Sequence, residues 1–459
     1  MKLIIIGAGP GGYETAVLAA RRGIDVTLVE ALRPGGTCLN VGCIPTKALC
    51  RSAELLESLR HAEEAGVCSL EYRFDFGKAC DRKDAVVDQL RAGLASLLDN
   101  PRITLLHGRA SFIDSRTVSV DTGEGNPSVV TGDNVIIATG SVPAMLDIPG
   151  KDIPAVVTSD GLLECREVPR KLCIIGAGVI GLEFASIFRS FGSEVTVVEY
   201  CKEILPRFDK DIAKRLRQSL SARGIEFCLG AAVKEIVPVG TGVDGGVSET
   251  GVTDNIVKVV YEKKGTITSC EADKVLMAVG RRPALRSLNL DEIGVEYTPK
   301  GIATDAFMQT NVPGVYAIGD ITGGVMLAHA ASMQGEVALS HIMGEESKVD
   351  LSVMPAAVFT MPEAASVGLT EEECSGCICR KSFFRANGKA LCSGETEGMC
   401  KIVADGTGRL VGCHIFGPHA SDLIHEAAAM ILRRATLDDI RAMVHVHPTL
   451  SEVFRDACR

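Results

Sequence analysis

Two stretches of this chain repeat each other without a gap. Lys2–Glu30 reads KLIIIGAGPGGYETAVLAARRGIDVTLVE, and Lys171–Glu199 reads KLCIIGAGVIGLEFASIFRSFGSEVTVVE. Each predicts a buried strand, a glycine turn, an amphipathic helix and a second strand that ends in an acid. A lone GxGxxG pattern carries little weight. Here strand, helix and terminal acid are all in place, and the unit occurs twice.

The residue types follow from the geometry such a unit needs. Gly7 and Gly176 allow a tight turn, Gly9 and Gly178 let a pyrophosphate approach the backbone, and Gly12 and Gly181 let helix pack on strand. The helix N-terminus then offers unpaired N–H groups and partial positive charge to phosphates. Glu30 and Glu199 stand where a carboxylate can accept ribose hydroxyls. Two dinucleotides on one chain are implied. Glu199 would repel a 2′-phosphate, so the second site should prefer NAD to NADP.

With 459 residues the chain exceeds one ordinary core and predicts two to four domains. VIIATGSVP (135–143) and VLMAVGRRP (275–283) read as strands running into turns. VYAIGD (315–320) reads as a buried strand ending in an acid, with a helix from about Leu327, and 240–255 as a polar hairpin loop. From Val353 the pattern shifts to strands followed by helices, which predicts a separate α+β domain. The expected fold class is therefore α/β, with two Rossmann-like domains and a C-terminal α+β domain. The opening MKLIII reads as a first strand rather than a signal peptide, because GAGPGG ends the apolar run at once. No apolar run reaches the ~18–20 residues of a membrane span. A net charge of −10 without a Lys/Arg cluster argues against nucleic acid. Seventeen cysteines in so long a chain read as reduced thiols of the cytoplasm, not as a secreted disulfide framework.

One cysteine pair stands apart. GGTCLNVGCIPTKAL (35–49) places Cys38 and Cys43 five residues apart, just after the first fingerprint. On an unbroken helix that spacing is a rise of about 7.5 Å, beyond the ~6.8 Å that a disulfide tolerates between Cα atoms. A bridge needs a distorted turn, which Gly42 and Gly35-Gly36 can supply. Such a bond is easily reduced, so the spacing suits a working disulfide better than a structural one. Lys47 can share a helix face with Cys43 and lower a thiol pKa. A metal site, or two unrelated thiols, are the alternatives on spacing alone.

The chain closes with HVHPTLSEVFRDACR. Pro448 suits a first helical turn, and Thr449-x-x-Glu452 is a capping-box pattern. Read alone, this makes Glu452 a cap with His447 just outside the helix and His445 a packed or exposed neighbour. Cys374, Cys377 and Cys379 (CSGCIC), with Cys392 and Cys400 downstream, read as unpaired loop and strand thiols rather than as a metal site; no metal is expected.

The motifs GAGPGG, CLNVGC, ATGS, GAGVIGLE, VGRRP, AIGD, MLAHAA and HVHPTLSE occur in the order found in the pyridine nucleotide–disulfide oxidoreductases, and the chain resembles that family over nearly its whole length. The CSGCIC cluster is where it departs. The resemblance implies FAD-binding residues 1–149 and 271–345, NAD-binding residues 150–270 and a dimerisation domain at 346–459. It implies FAD contacts from Glu30, Lys47, Ala110, Thr139, Gly140, Ser141, Asp320, Met326, Leu327, Ala328 and His329. NAD contacts would come from Gly176–Glu183, Glu199, Val233 and Gly280. Glu183 would pair with Lys47 beside the flavin. Cys38 and Cys43 would be the redox disulfide, with Cys43 facing the flavin. His447 would be the acid/base, oriented by Glu452 and supplied by the partner subunit of a homodimer. NGKALCSGETEGMCKIVAD and HPTLSEVFRDA resemble most the members that oxidise dihydrolipoyl groups with NAD⁺. The partner implied is a lipoyl-bearing protein of a 2-oxoacid dehydrogenase complex or the glycine cleavage system. Glutathione-reducing members usually carry basic residues where Glu199 stands, and mercury-reducing members end in a cysteine pair where Cys458 stands alone. A non-catalytic subunit that keeps the fold is the remote alternative.

Overall fold

The duplication seen in the sequence is a duplication of register. Strand Lys2–Ile6 pairs in parallel with Asp25–Glu30, Lys2 opposite Asp25 through Ile6 opposite Val29. Strand Lys171–Ile175 pairs with Glu194–Glu199 in the same offset, Lys171 opposite Glu194 through Ile175 opposite Val198. Leu3, Ile4, Ile5, Leu172, Cys173 and Ile174 are all but inaccessible to solvent, so both faces of each strand are covered. That is why these strands read as continuous apolar runs and not as alternating ones. The computed structural model describes residues 1–123, 125–239 and 256–459; the expected hairpin loop at 240–255 lies outside them.

The chain divides into two units. The first comprises Met1–Ala48, Cys80–Ala144 and Arg281–Leu351, and the second Leu49–Ala79, Met145–Gly280 and Ser352–Arg459. In the first unit a five-stranded parallel sheet runs in the order Val315–Ala317, Asn134–Ile137, Lys2–Ile6, Asp25–Glu30, Ile103–His107. An antiparallel sheet of Arg109–Asp114, Thr117–Asp121 and Ser128–Thr131 is added to it. The fingerprint helix Pro10–Arg21 packs on helix Ala328–Ile342. A Cβ at Gly11 would stand 3.1 Å from the Ala331 carbonyl oxygen, and one at Gly335 would stand 1.9 Å from the Thr15 hydroxyl. The close crossing therefore depends on both glycines.

The second unit repeats the plan. Its parallel sheet runs Ile225–Leu229, Glu194–Glu199, Lys171–Ile175, Lys274–Met277, Val156–Val157, and a three-stranded antiparallel sheet follows. It also contains the predicted α+β region. There Ala356–Val358, Glu363–Gly368, Leu410–Gly417, Met399–Ala404 and Ile378–Phe383 form an antiparallel sheet in that order. Helices Ala420–Leu432 and Glu452–Ala457 close its core, with Phe384, Ile402, Ile415 and Phe454 fully buried. Burial pushes the Cys458 thiol up to about 12, so it behaves as a small core hydrophobe. Among the described residues no helix is long and apolar enough to cross a membrane.

A buried cation joins parts of this second unit. The Lys401 side chain is 1% exposed and donates to Asp209 at 2.7 Å and Asp211 at 2.8 Å, with Glu371 at 2.6 Å. Asp209 is itself fully buried and caps helix Lys210–Ala222 by accepting from the Asp211 and Ile212 amides. Burial alone would depress the Lys401 ammonium, but its bonds to Asp209, Asp211 and Glu371 outweigh that and raise it. Hydrogen bonds from Lys381 and Lys401 hold the Asp211 carboxyl at about 2. Replacing Lys401 by Met strands the Asp209 charge in the interior, and should cost about 3–5 kcal/mol of stability in denaturant titration. A variant as stable as the parent would contradict this. Because the Asp211 value is depressed on folding, its contribution is complete above 3.8 and should fade as pH falls toward about 2.

Candidate active site

The first cradle is assembled from backbone. Gly7 has φ +105°, and a Cβ there would stand 2.3 Å from the Ala138 carbonyl oxygen. A Cβ at Gly12 would stand 1.8 Å from the Gly7 carbonyl. Gly9 precedes helix Pro10–Arg21 in extended conformation with no side chain capping the helix, so the first-turn amides face outward for a phosphate. Glu30 ends its strand buried, accepting from the Ala8 amide at 2.7 Å and the Leu32 amide at 2.8 Å. The carboxylate thereby fixes the turn, and its remaining lone pairs suit a ribose diol. Thr139, Gly140 and Ser141 follow strand Asn134–Ile137, and Ala110 lies buried on the added sheet. The Ser141 hydroxyl donates to Asp320 at 2.5 Å. Met326 and Leu327 lead into helix Ala328–Ile342, whose N-terminus also lacks a side-chain cap and begins with Ala328 and His329. A dinucleotide fits this donor set.

The cysteine turn is pressed against that cradle. The Gly35 amide donates to the Ala8 carbonyl at 2.7 Å. Gly36 has φ +56°, and a Cβ there would stand 2.7 Å from the Gly9 Cα. Helix Gly36–Val41 carries Cys38, breaks at Gly42 (φ −137°, ψ −113°), and resumes as Cys43–Arg60. The break falls between the two cysteines, so they do not share one straight helix. The Cys38 thiol is hydrogen-bonded to Cys43, and that bond, then burial, raise its pKa well above the ordinary value, while the Lys47 charge pulls the other way. Asn40 donates to the Pro34 and Gly36 carbonyls at 3.1 and 2.9 Å and accepts from Arg91 at 2.7 Å, which braces the turn.

The second cradle repeats the plan of the first. Gly176 has φ +108°, a Cβ at Gly181 would stand 2.1 Å from the Gly176 carbonyl, and Gly178 has open space over it. Glu199 accepts from the Ala177 and Cys201 amides, both at 2.6 Å. Glu183, buried in helix Val179–Phe191, accepts from the Phe359 amide at 3.0 Å. Val233 lies at a bulge in strand Ala231–Pro238, and Gly280 has φ +114°.

Near the C-terminus the Glu452 carboxylate lies 3.2 Å from the Nδ1 of His447 and accepts from the Thr449 amide at 3.0 Å. The Thr449 amide bond, then His447 and Arg455, hold Glu452 below the usual carboxylate range. The His447 ring is 76% exposed, so its Nε2 side is open. His445, expected to be either packed or exposed, has its side chain buried on Glu426 at 2.8 Å. The helix begins at Glu452, later than Pro448 predicts. The Thr449 hydroxyl donates to the Val446 carbonyl at 2.7 Å and does not cap, so only the Glu452 half of the capping box forms.

Two features differ from the sequence reading or escaped it. Cys374 and Cys377 are not unpaired thiols but bridged, with Cα atoms 5.7 Å apart, because Gly376 at φ +75° folds the link between them. Arg281 was missed. Its Nε donates to the Ser141 hydroxyl at 2.7 Å, and its Nη2 to the Ser141 carbonyl at 2.8 Å. The only signal was its place in VGRRP; its role depends on strand 281–283 pairing with 141–143. Among the described residues no group of three or more His, Cys, Asp or Glu could hold a metal ion.

The model of the pyridine nucleotide-disulphide oxidoreductase family matches residues 1–335, and that of its dimerisation domain matches 354–458. Dihydrolipoyl dehydrogenase of Chlamydia muridarum is 42% identical over 99% of this chain and 95% of its own. That of Bacillus subtilis is 40% identical over 99% and 95%. The leghemoglobin reductase of Glycine max is 40% identical over 99% and 86%. Among solved structures, LpdA of Mycobacterium tuberculosis superposes with a TM-score of 0.89 at 27% identity, covering 100% of this chain and 99% of that one. The HOCl-induced flavoprotein disulfide reductase of Escherichia coli gives 0.86 at 30%, with the same coverage.

The contact between Gly36 and Gly9 allows a direct test of the first cradle. Gly36→Val places a branched side chain at a positive φ and against Gly9, a strain of about 1–3 kcal/mol. The purified variant should hold flavin about tenfold less tightly, read as the flavin-to-protein absorbance ratio, with its circular dichroism unchanged. Full flavin content would refute the arrangement.

Proposed function

The chain belongs to the pyridine nucleotide–disulfide oxidoreductases, and we propose that within them it is a dihydrolipoyl dehydrogenase, oxidising protein-bound dihydrolipoyl groups to lipoyl groups with NAD⁺. It is an FAD- and NAD-using oxidoreductase that works as a homodimer through its dimerisation domain. The reading rests above all on Cys38 and Cys43, hydrogen-bonded across a broken helix that abuts a dinucleotide turn. We keep with it the three-part division (1–149 with 271–345, 150–270, 346–459), a cytoplasmic location and a lipoyl-bearing protein of a multienzyme complex as partner.

Glu30, Ser141, Asp320 and the uncapped helix at Ala328 would hold FAD; Gly176–Gly181 and Glu199 would hold NAD. FAD, when bound, supplies the two-electron relay between the cysteine pair and the nicotinamide. The chain's own residues do the rest. His447, oriented by Glu452 and reaching the partner subunit's site, takes a proton from a dihydrolipoyl thiol. The resulting thiolate attacks Cys38, breaking its bond to Cys43. The second substrate thiol, deprotonated in turn, attacks the substrate sulfur of the mixed disulfide. The lipoyl ring closes and Cys38 and Cys43 are left as a dithiol. The thiolate is the attacking species, so a base that takes the substrate proton speeds the exchange at neutral pH. Glu452, with its depressed pKa, stays ionised and keeps the imidazole oriented until the pH falls below the ordinary carboxylate range. Two carboxylate–amide bonds hold Glu199 where a 2′-phosphate would meet its charge, which favours NAD⁺ over NADP⁺.

Cys43→Ser should abolish lipoamide reduction by NADH while flavin stays bound; retained turnover sinks the assignment. His447→Gln should lower turnover about 10²–10⁴-fold and flatten its pH profile, with flavin content unchanged. Assays with lipoamide, glutathione disulfide and Hg²⁺ side by side separate this reading from the glutathione- and mercury-reducing members.

A further inference from the structure

We propose that Cys374 and Cys377 form a second thiol–disulfide couple, separate from Cys38–Cys43, which exchanges with low-molecular-weight disulfides and thiols in solution. The two are bridged, with Cα atoms 5.7 Å apart, inside the range a disulfide accepts. Four features argue for a working couple rather than a fixed staple.

The ring is small. Only Ser375 and Gly376 lie between the cysteines, so closing it restrains little of the unfolded chain, and a structural bridge would gain more from a longer loop. The site is reachable as well. Ser375 and Gly376 are exposed and the two cysteines partly so, so the ring lies at the surface, where an incoming thiolate can approach it.

The ends are held whether or not the bond exists. Cys374 follows a short turn of helix, Glu371–Glu373, fixed by a complete capping box between Thr370 and Glu373. Cys377 precedes strand Ile378–Phe383, which is paired along its length with Met399–Ala404. Gly376, at φ +75°, makes the turn between them. Reduction would break one bond without letting the thiols drift apart, so reclosure competes with loss to a mixed disulfide.

The nearby carboxylates are all engaged. Three glutamates lead into the ring, but Glu371 lies on Lys401 at 2.6 Å, Glu372 is 3.3 Å from Lys210, and Glu373 accepts from Thr370. An anionic small disulfide therefore does not meet three bare carboxylates.

The exchange balances in two steps. One protein thiolate attacks a sulfur of the small disulfide, forming a mixed disulfide and expelling a small thiolate. The other protein thiolate attacks the protein sulfur of that mixed disulfide, closing the Cys374–Cys377 bond and expelling a second. The protein loses two electrons and two protons; the small disulfide gains them as two thiols. The reverse reaction consumes two small thiols.

The test uses the intact flavoprotein, equilibrated in glutathione buffers from fully reducing to fully oxidising. It is then alkylated, and the peptide spanning the two cysteines is weighed. The peptide should pass from doubly alkylated to internally bridged and back, with no lasting glutathione adduct. Cys374→Ser should trap Cys377 as a glutathione adduct in oxidising buffer and leave lipoamide turnover unchanged. The proposal is overturned if the bond resists excess dithiothreitol in the native protein, or if both thiols survive excess glutathione disulfide. A stable adduct on the parent chain would overturn it equally. The peptides holding Cys38 and Cys43 are weighed separately, so this outcome is independent of the activity assigned to that pair.

Discussion

The organising interaction in this molecule is a carboxylate at a strand end gripping the amide inside a glycine turn. Glu30 does this to Ala8 and Glu199 to Ala177, each across the same sequence interval, and each takes a second amide two residues beyond itself. The bond converts a flexible glycine segment into a rigid crook. Without it Gly7 and Gly9 would have many conformations to choose from. With it the helix amides are aimed at one place before any ligand arrives, so binding needs little ordering of the chain.

The first crook also positions the thiols. Gly35 donates to the Ala8 carbonyl and Gly36 rests on Gly9, so the segment carrying Cys38 is built on the same turn that receives the dinucleotide. Arg91 braces the far side through Asn40. The second crook has no such attachment: Gly178 has open space where Gly9 meets Gly36. One motif thus appears twice with two different neighbours. The difference lies in what packs on the second glycine, not in the fingerprint itself.

What could be read from the sequence was what local chemistry forces. A glycine at positive φ, an acid at a strand end and a thiol pair around Gly42 each tie residue type to conformation within a few positions, and these were legible. The antiparallel sheet of Arg109–Asp114, Thr117–Asp121 and Ser128–Thr131 was not, because no local pattern in those residues sets its strand pairing. Arg281 stayed hidden because its partner Ser141 is supplied by a strand pairing that no local pattern announces. The late start of the last helix has the same origin. Thr449 is a good cap by composition, but its hydroxyl finds Val446 instead. Lys401 is the sharpest case. Inside the run MCKIVA a lysine looks like an error in a buried strand, and only the convergence of Asp209, Asp211 and Glu371 makes it tolerable.

That buried lysine and the CSGC ring meet at one short segment. Glu371 holds Lys401, and Cys374 follows three residues later, after the capped turn. Glu371, half-exposed, shares that ammonium with Asp209 and Asp211, and releasing it would leave the charge less compensated. The segment leading into Cys374 is therefore anchored by electrostatics, and the segment leaving Cys377 by a strand ladder. Between two such anchors a disulfide adds little rigidity. A bond that contributes little to holding the fold is one the fold can lose and regain, and in that respect the Cys374–Cys377 ring resembles the Cys38–Cys43 turn, where helices on both sides hold the thiols together around a single glycine.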